Sequence, residues 1–150
     1  MGCVAVTVRL IELDRPRSTS CNKFKLNDFH RAIIADVCAY IKSNVDGDLS
    51  LDAIARKAGY SRSHFSRMFR MAHGVTVQTY VTKTRMAVAA ELLRDTNATV
   101  DTIMRRVGYS SSSGFVKIFM ACYRRTPTLY RGQARTAAAR AARQNHEVTT

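Results

Sequence analysis

The fold follows from two short stretches of sequence, LDAIARKAGYS at Leu51–Ser61 and VDTIMRRVGYS at Val100–Ser110. At an offset of 49 residues, aspartate, isoleucine, arginine, glycine, tyrosine and serine recur in place. The second copy then gains one residue, and at an offset of 50 further matches follow, namely Phe65 with Phe115, Phe69 with Phe119, Thr76 with Thr126, and Tyr80 with Tyr130. So many matches in order indicate a duplicated supersecondary unit, because two copies are too few for a solenoid.

Each copy predicts a short helix, a tight turn and a second helix. Ser50 and Thr99 precede the first helices and are favoured N-cap residues. Gly59 and Gly108 follow these helices, where glycine adopts a left-handed conformation at little cost. The second helices carry an inward apolar face, at Phe65, Met68 and Phe69 in one copy and Phe115, Ile118 and Phe119 in the other. A helix, a glycine-containing turn and a second helix make up the helix-turn-helix motif.

The rest of the chain predicts further helices and requires no strand. A first helix runs from Asn27 or Asp28 to about Asn44, and its inward face is predicted at Phe29, Ile33, Val37, Tyr40 and Ile41. Thr76 caps a long linker helix to about Arg94, with its inward face at Tyr80, Val81, Thr84, Val88 and Leu92. Thr126-Pro127 starts a short last helix, since proline is favoured at the first helical position. The predicted fold is all-α, with about seven helices in two tandem helix-turn-helix subdomains joined by the linker helix.

These elements divide the chain into predicted segments. They are an N-terminal arm over 1–24, the first helix-turn-helix subdomain over 25–75, the linker helix over 76–95, the second subdomain over 96–131, and a basic tail over 132–150. The arm is expected either to be disordered or to hold a short strand at Val4–Leu13. The tail is rich in alanine and arginine, so it could form a helix, and we expect it to fray.

Positive charge is concentrated in the part of the chain that carries the repeat. The net charge is +13, of which the first 50 residues contribute +1 and the remaining residues +12. No acidic residue occurs between Ala53 and Ala90, or between Thr102 and His146. A surface without acids over such lengths attracts polyanions, whereas charge that serves solubility alone usually mixes both signs.

Duplex DNA fits this pattern best among the polyanions. The major groove of B-DNA admits an α-helix, whereas the major groove of an RNA duplex is too narrow. The basic tail lacks the apolar face of a membrane-binding helix, and the chain has no run of about 18 apolar residues that could span a bilayer. We therefore expect double-stranded DNA as the partner and no membrane.

The second helix of each copy has an outward face that could read base edges in the major groove. The predicted base-reading residues are Arg62, Ser63, Ser66, Arg67 and Arg70 in the first copy and Ser112, Ser113, Val116 and Lys117 in the second. Arginine pairs with guanine through two hydrogen bonds, whereas small hydroxyls and a valine methyl are weaker readers. The first copy is therefore predicted to supply most of the base specificity. The alternative is a solvated basic face that reads nothing.

Further cations are predicted to hold the DNA backbone, namely Arg56, Lys57, Arg105, Arg106, Arg124, Arg125 and Arg131. Contacts from arginine and lysine to phosphate position a protein on the duplex without reading its sequence. Amide groups at the helix N-termini are expected to add to this grip.

The length of the linker helix bears on how one chain could meet the duplex. A helix of about 19 residues is roughly 28 Å long, and successive major grooves on one face lie about 34 Å apart. One chain could therefore reach two grooves. This predicts a monomer on an asymmetric site rather than a dimer on a palindrome.

The segment from Leu49 to Arg131 resembles the DNA-binding domain of the AraC/XylS family. The first copy matches that family at Leu51, Ile54, Ala55, Gly59, Ser61, Phe65, Arg67 and Phe69. The linker helix matches it at Tyr80, Arg85 and Leu93. The second copy matches it at Val100, Ile103, Gly108, Tyr109, Ser113, Phe115 and Phe119, and ends in the T-P-x-x-Y-R signature at Thr126–Arg131.

The resemblance implies a bacterial transcription activator that binds near promoters as a monomer and helps to recruit RNA polymerase. Only about 25 residues precede the first helix, too few for an effector-binding domain, so the chain looks like the small stand-alone MarA/SoxS-like type. Control would then come from the amount of protein rather than from a ligand, and no cofactor is expected. The expected location is the cytoplasm, at the nucleoid, because the N-terminal residues do not look like a secretory signal.

Four departures from the family pattern change what we expect of each copy. Met104 stands where the family usually has alanine, so a bulky side chain must pack between helices. Arg124 replaces the glycine that normally ends the second recognition helix, which costs on the order of 1 kcal/mol in a left-handed conformation. The serine run Ser110–Ser113 before Gly114 weakens the start of that helix. Ser63 replaces the tryptophan of the MarA-like proteins, so their target sequence should not carry over.

Other functions find little support in the sequence. The histidines at 30, 64, 73 and 146 lack metal-ligand spacing, and no nucleophile elbow or phosphate-binding glycine loop occurs, so neither catalytic residues nor a metal site is predicted. The cysteines are far apart and should be free thiols. The main alternative is a non-specific, nucleoid-type DNA-binding protein, whose affinity would fall steeply with salt without choosing a sequence. A protein-interaction module is a second alternative, and it would need an acidic partner.

Overall fold

The computed structural model describes residues 26–147, and side chains from 26 to 137. Within that range the chain is helical throughout, without a strand, and so confirms the predicted all-α fold. In chain order the helices are α1 Asp28–Ser43, α2 Leu51–Lys57, α3 Arg62–His73, α4 Val77–Asp95, α5 Val100–Arg106, α6 Ser112–Tyr123 and α7 Pro127–Glu147. The strand expected at Val4–Leu13 lies outside the described residues.

Each of the seven described helices begins after a residue whose side chain caps it. Asn27 Oδ1 accepts a hydrogen bond from the backbone N–H of His30 at 2.8 Å, and Ser50 Oγ accepts one from Ala53 at 3.3 Å. Equivalent bonds are accepted by the side chains of Ser61, Thr76, Thr99, Ser111 and Thr126. Each such cap satisfies an otherwise unpaired amide and typically stabilises a protein by about 1 kcal/mol.

The chain forms two compact units, and α4 contributes to both. The first unit comprises α1, α2, α3 and α4 as far as Val81. The second comprises the remainder of α4 from Thr82, then α5, α6 and α7, together with the short segment Asn44–Gly47. Each unit therefore contains one helix-turn-helix, α2–α3 in the first and α5–α6 in the second.

The core of the first unit forms around α3, whose Phe65, Met68 and Phe69 are completely buried. The buried face of α1 consists of Ile34, Val37, Cys38 and Ile41. The prediction that Phe29 lies on this inward face is wrong, since its side chain is 67% exposed. Phe29 precedes Ile34 by five positions, a spacing that puts it off the stripe formed by steps of three and four.

The core of the second unit forms around Phe115 and Phe119 of α6, which are also completely buried. Met104 is buried as expected and fills space between the helices. From α4 the core receives Met86, Ala89, Ala90 and Leu93. Val88 and Leu92, which the sequence analysis placed inward on α4, are only half-buried at the edge of this core.

The repeat extends to the ring contacts inside each core. In the first unit the centroids of Phe69 and His73 are 4.7 Å apart, those of Phe69 and Tyr80 5.4 Å, and those of His73 and Tyr80 5.1 Å. The residues 50 positions later are Phe119, Tyr123 and Tyr130. Their corresponding separations are 4.7, 5.5 and 5.1 Å. The two units therefore share one packing arrangement.

These two sets of three rings differ at one position, which is His73 in the first unit and Tyr123 in the second. His73 Nε2 lies 3.3 Å from Cys38 Sγ, and burial lowers the pKa of His73 while it raises that of Cys38, so both are neutral at pH 7. Burial raises the pKa of Tyr123 to about 12, and its hydroxyl donates to the Met86 carbonyl at 3.3 Å. His73 Nε2 and the Tyr123 hydroxyl thus each have a partner within their own unit.

Arg85 of α4 secures the segment Asn44–Gly47 within the second unit. Its Nε donates to the Val45 carbonyl at 2.8 Å, and its Nη2 donates to the Gly47 carbonyl at 2.9 Å. The guanidinium lies against the α5–α6 turn, 5.7 Å from the ring centroid of Tyr109. Hydrogen bonds from a charged donor typically contribute about 1.5–3 kcal/mol each. Arg85 therefore fixes the position of the segment Asn44–Gly47.

The last helix is longer than the short helix expected after Thr126. α7 has 21 residues and continues through Gly132 into the segment rich in alanine and arginine, as far as Glu147. Alanine and arginine are among the best helix formers, which offsets the cost of the glycine. Arg135, which lies 50 positions after Arg85, donates to the Thr96 carbonyl at 3.3 Å and also bonds Asn97 Oδ1. It therefore holds the α4–α5 loop as Arg85 holds Asn44–Gly47.

Both recognition helices end in a left-handed residue. α3 ends at Gly74 with φ 72°, whereas α6 ends at Arg124 with φ 58°. Arg124 is the one non-glycine residue with positive φ in the part of the chain that the structure describes. Arg124 therefore adopts the left-handed conformation for which the sequence predicts an energetic penalty.

Substitution Arg124→Gly should raise the free energy of unfolding by about 1 kcal/mol, because glycine removes the left-handed penalty. Gly74→Ala is the matched control and should lower it by a similar amount. Urea unfolding without DNA, followed by circular dichroism, measures both. An unchanged or lower stability of Arg124→Gly would contradict the strain argument.

The glycines of the two turns provide a second test. Gly59 and Gly108 have nearly equal φ, 74° and 78°, but an added Cβ meets nothing within 4 Å at Gly59. At Gly108 it would lie 2.7 Å from Arg85 Nη2 and 3.0 Å from the Val45 carbonyl oxygen. Gly108→Ala should therefore destabilise the protein by about 1–3 kcal/mol more than Gly59→Ala.

Urea unfolding of the two alanine variants gives this difference directly. In an Arg85→Ala background the excess cost of Gly108→Ala should shrink, since the crowding side chain is gone. Equal costs at the two glycines would mean that the close approach of Arg85 has no energetic weight.

Candidate nucleic-acid interface

The turn between α2 and α3 fixes which side of α3 faces outward. α2 ends against Gly59, the N–H of Tyr60 donates back to the Ala55 carbonyl at 3.0 Å, and Ser61 then caps α3. Because Phe65 and Phe69 are completely buried, rotation of α3 about its axis is set by the core. The opposite side of the helix must then be exposed.

The outward face of α3 consists of Ser63, Arg67, Arg70 and Met71, all of them exposed. They are spaced by steps of four, three and one, which places them together on one side of a helix. Ser66, which was also predicted to read bases, is half-buried at the flank of this face. The structure thus brings Ser63, Arg67 and Arg70 together, and it adds Met71, which the sequence analysis did not include.

Arg62, the remaining predicted reader on α3, is held by α2. Its Nη1 lies 3.2 Å from Asp52 Oδ2, and the two side chains are 65% and 56% exposed. Ion pairs this exposed contribute about 0–1 kcal/mol and are readily exchanged. Arg62 can therefore be recruited by a phosphate or base, but it is not presented freely as Arg67 is.

The outward face of α6 has the same geometry and different chemistry. Its exposed residues at the equivalent positions are Ser113, Lys117, Met120 and Ala121. Ser112 is exposed in the first turn, whereas Val116 is half-buried and packs against the core of its unit. The register of 50 residues pairs Arg70 of α3 with Met120 of α6. The predicted base readers of α6 end at Lys117, although the 50-residue repeat already pairs Met120 with the predicted reader Arg70.

The cations predicted to contact phosphate fall into two groups. Six of the seven are exposed, namely Arg56, Lys57, Arg105, Arg106, Arg124 and Arg125. Lys57 Nζ lies 4.2 Å from the centroid of the Tyr40 ring, and Arg105 Nε lies 3.1 Å from Asp101 Oδ2. Arg131 differs because it is half-buried and its Nη2 donates to the Ala98 carbonyl. The geometry therefore places Arg131 as a support of the loop before α5.

The recognition helices α3 and α6 carry positive charges and no negative ones. Neither α3 nor α6 contains an acidic residue. Asp52 and Asp101 lie in the first turns of α2 and α5, where a negative charge complements the helix dipole, and each pairs with a neighbouring arginine. The outward faces of α3 and α6 therefore present cations and hydroxyls without a competing carboxylate.

Among the described residues, no group of three or more histidine, cysteine, aspartate or glutamate side chains is arranged to bind a metal ion. None of the helices in 26–147 is both long and apolar enough to cross a membrane. The two helix-turn-helix faces are thus the candidate site that the described chain offers.

Comparison with known proteins agrees with this geometry. A family model described as a helix-turn-helix domain matches residues 54–133. The regulatory protein SoxS of Escherichia coli (strain K12) is 36% identical over 102 residues, which cover 68% of this chain and 95% of SoxS. The chain belongs to the AraC/XylS family.

Two further relatives bear on what an AraC/XylS domain of this kind does. The HTH-type transcriptional activator AarP of Providencia stuartii is 35% identical over 107 residues, covering 71% of this chain and 79% of AarP. A crystal structure of the DNA-binding domain of AdpA, in complex with a target DNA, matches with a TM-score of 0.66 and 25% identity, over 69% of this chain and 94% of that domain. This AraC/XylS chain is a DNA-binding helix-turn-helix transcription regulator.

Substitution Arg67→Ala should cost about 1–3 kcal/mol on the best DNA site and relax preference at particular base pairs, because a reading side chain is lost. The matched control is Arg125→Ala, which removes an exposed cation outside both recognition helices. It should weaken binding to all sequences alike and reduce the salt slope by about 1. Fluorescence anisotropy on specific and random duplexes at several salt concentrations separates the two. An equal loss on random DNA for Arg67→Ala would show that Arg67 does not read bases.

Proposed function

We propose that this AraC/XylS regulator is a sequence-specific activator that binds an asymmetric double-stranded DNA site as a monomer, with α3 and α6 in successive major grooves. One observation carries the proposal: the two helices present the same outward positions, and three of these four positions carry different side chains. A duplicated geometry favours two similar insertions, and different side chains favour two different base sequences.

Sequence specificity is supported by the outward face of α3. Arg67 and Arg70 lie one turn apart and are exposed, and among the described residues neither forms a salt bridge that would have to break first. Arginine makes the commonest specific contact in the major groove, to O6 and N7 of guanine. Both side chains lie on the outward face of α3, which would meet the base edges if this helix enters the major groove.

Binding as a monomer is supported by the presence of both motifs on one chain. α4 runs for 19 residues without interruption and supplies residues to both cores. At 1.5 Å per residue its length is about 28 Å, which is of the order of one turn of DNA. One chain therefore carries a recognition helix for each of the two proposed grooves.

Activation is proposed from the relatives. AarP is named as a transcriptional activator, and it aligns with most of this chain. An activator that occupies a promoter site works through the transcription machinery, so RNA polymerase is the proposed protein partner. The proposed location is the bacterial cytoplasm, at the nucleoid.

The deciding experiment is selection from random duplexes of about 30 bp at about 150 mM salt, where non-specific electrostatic binding is weakened. We expect one asymmetric motif with two conserved blocks about 10 bp apart, centre to centre. Guanines should be concentrated in one of the two blocks. Arg67→Ala and Arg70→Ala should weaken the sequence preference in that same block. Binding without any enriched sequence would favour the non-specific, nucleoid-type alternative.

Two controls distinguish the modes of binding. Insertion of about 5 bp between the blocks moves one block to the opposite face of the duplex and should reduce affinity to that of a single block. Analytical ultracentrifugation of the complex should give one chain per site. A palindromic motif bound by two chains would overturn the monomer proposal and leave sequence-specific recognition intact.

A further inference from the structure

Met120 is an exposed apolar residue at a position where the first motif has an arginine. It lies on α6 three residues after Lys117 and seven after Ser113, on the outward face, and its side chain is 44% exposed. The equivalent residue of α3 is Arg70. The substitution thus replaces a guanine-reading type of side chain with one that has no strong hydrogen-bonding group.

The core of the second unit does not account for Met120. Phe115 and Phe119 fill that core from α6, and Val116, Ile118 and Tyr123 pack against its edge. Met120 belongs to neither set. Because Met120 is 44% exposed, part of its apolar surface is open and can contact an apolar group on a ligand.

The major groove offers one such apolar surface, the C5-methyl group of thymine. Methionine suits it because the side chain is unbranched, flexible and polarisable, and so adapts to the position of a methyl group. Val116 is the apolar residue of α6 that was predicted to read bases. It is half-buried against the core, whereas Met120 points away from that core, so Met120 is the better placed of the two.

We infer that Met120 is a specificity-determining residue that selects thymine in the second DNA block by contact with its methyl group. The inference rests on the proposed function, since it assumes that α6 enters a major groove. It assigns different recognition chemistry to the two motifs: α3 reads guanine through arginine, and α6 reads the thymine methyl through Met120. Ser113 and Lys117 then supply the polar contacts on either side.

The test replaces thymine by deoxyuridine, one position at a time, in the second block of the selected site. Deoxyuridine keeps every hydrogen-bonding group of thymine and lacks only the methyl. At one position the wild-type protein should bind about fourfold more weakly, as expected for the loss of one buried methyl-sized group. Met120→Ala should bind the thymine and deoxyuridine duplexes equally.

Met71→Ala is the matched control, because Met71 lies on the outward face of α3 and is also 44% exposed. This variant should keep the full discrimination between thymine and deoxyuridine in the second block. Met120→Arg, which copies the first motif, should shift the preference at that position from thymine towards guanine in a repeated selection. Circular dichroism confirms that each variant is folded.

The outcomes separate the inference from the proposed function. If selection yields both blocks but the wild type binds thymine and deoxyuridine equally throughout the second block, the inference is overturned and the proposed function stands. The same holds if the second block contains no thymine, or if Met120→Ala keeps the discrimination. If no sequence is enriched at all, both fail together.

Discussion

The burial of two phenylalanines one turn apart on each recognition helix is the constraint on which the other features depend. Phe65 and Phe69 in α3, and Phe115 and Phe119 in α6, are completely enclosed by their own units. A helix anchored by two such rings cannot rotate, so the identity of every outward residue follows from its distance in sequence to the pair. A capping serine sets where each recognition helix starts, left-handed Gly74 or Arg124 sets where it ends, and the rings set which way it faces.

The helices and the interior were predictable because they depend on local rules. Caps, helix-ending glycines and three- and four-residue apolar spacing identified every helix between Asp28 and Tyr123. Phe29 was misplaced because it lies four residues before Ile33 and so fits the predicted stripe, whereas the buried stripe of α1 begins at Ile34. α7 extends further than expected since tolerance of Gly132 is decided by the alanines around it. The prediction that Val88 and Leu92 lie inward on α4 failed for another reason. α4 contributes to two cores, so its buried residues do not form a single stripe.

The candidate site was predicted in composition more than in detail. Arg67, Arg70, Ser113 and Lys117 lie where expected on exposed faces, but their roles towards DNA remain predictions. Arg131 could not be recognised as a loop support, because its acceptor, the Ala98 carbonyl, is 33 residues away in sequence. Residues that bond to distant backbone leave no local pattern. Met120 is the opposite case, since comparison of the two copies in register reveals it without a structure.

The segment Asn44–Gly47 has a consequence for how the chain can be divided. It lies in sequence between two helices of the first unit, yet Arg85 binds its carbonyls as part of the second. A single cut in the polypeptide therefore cannot separate the two complete units. A cut after Val81 leaves the segment Asn44–Gly47 on the fragment that contains the first unit. The second unit is consequently not contiguous in sequence, and a recombination event that exchanged it whole would also have to carry four residues encoded ahead of the first helix-turn-helix.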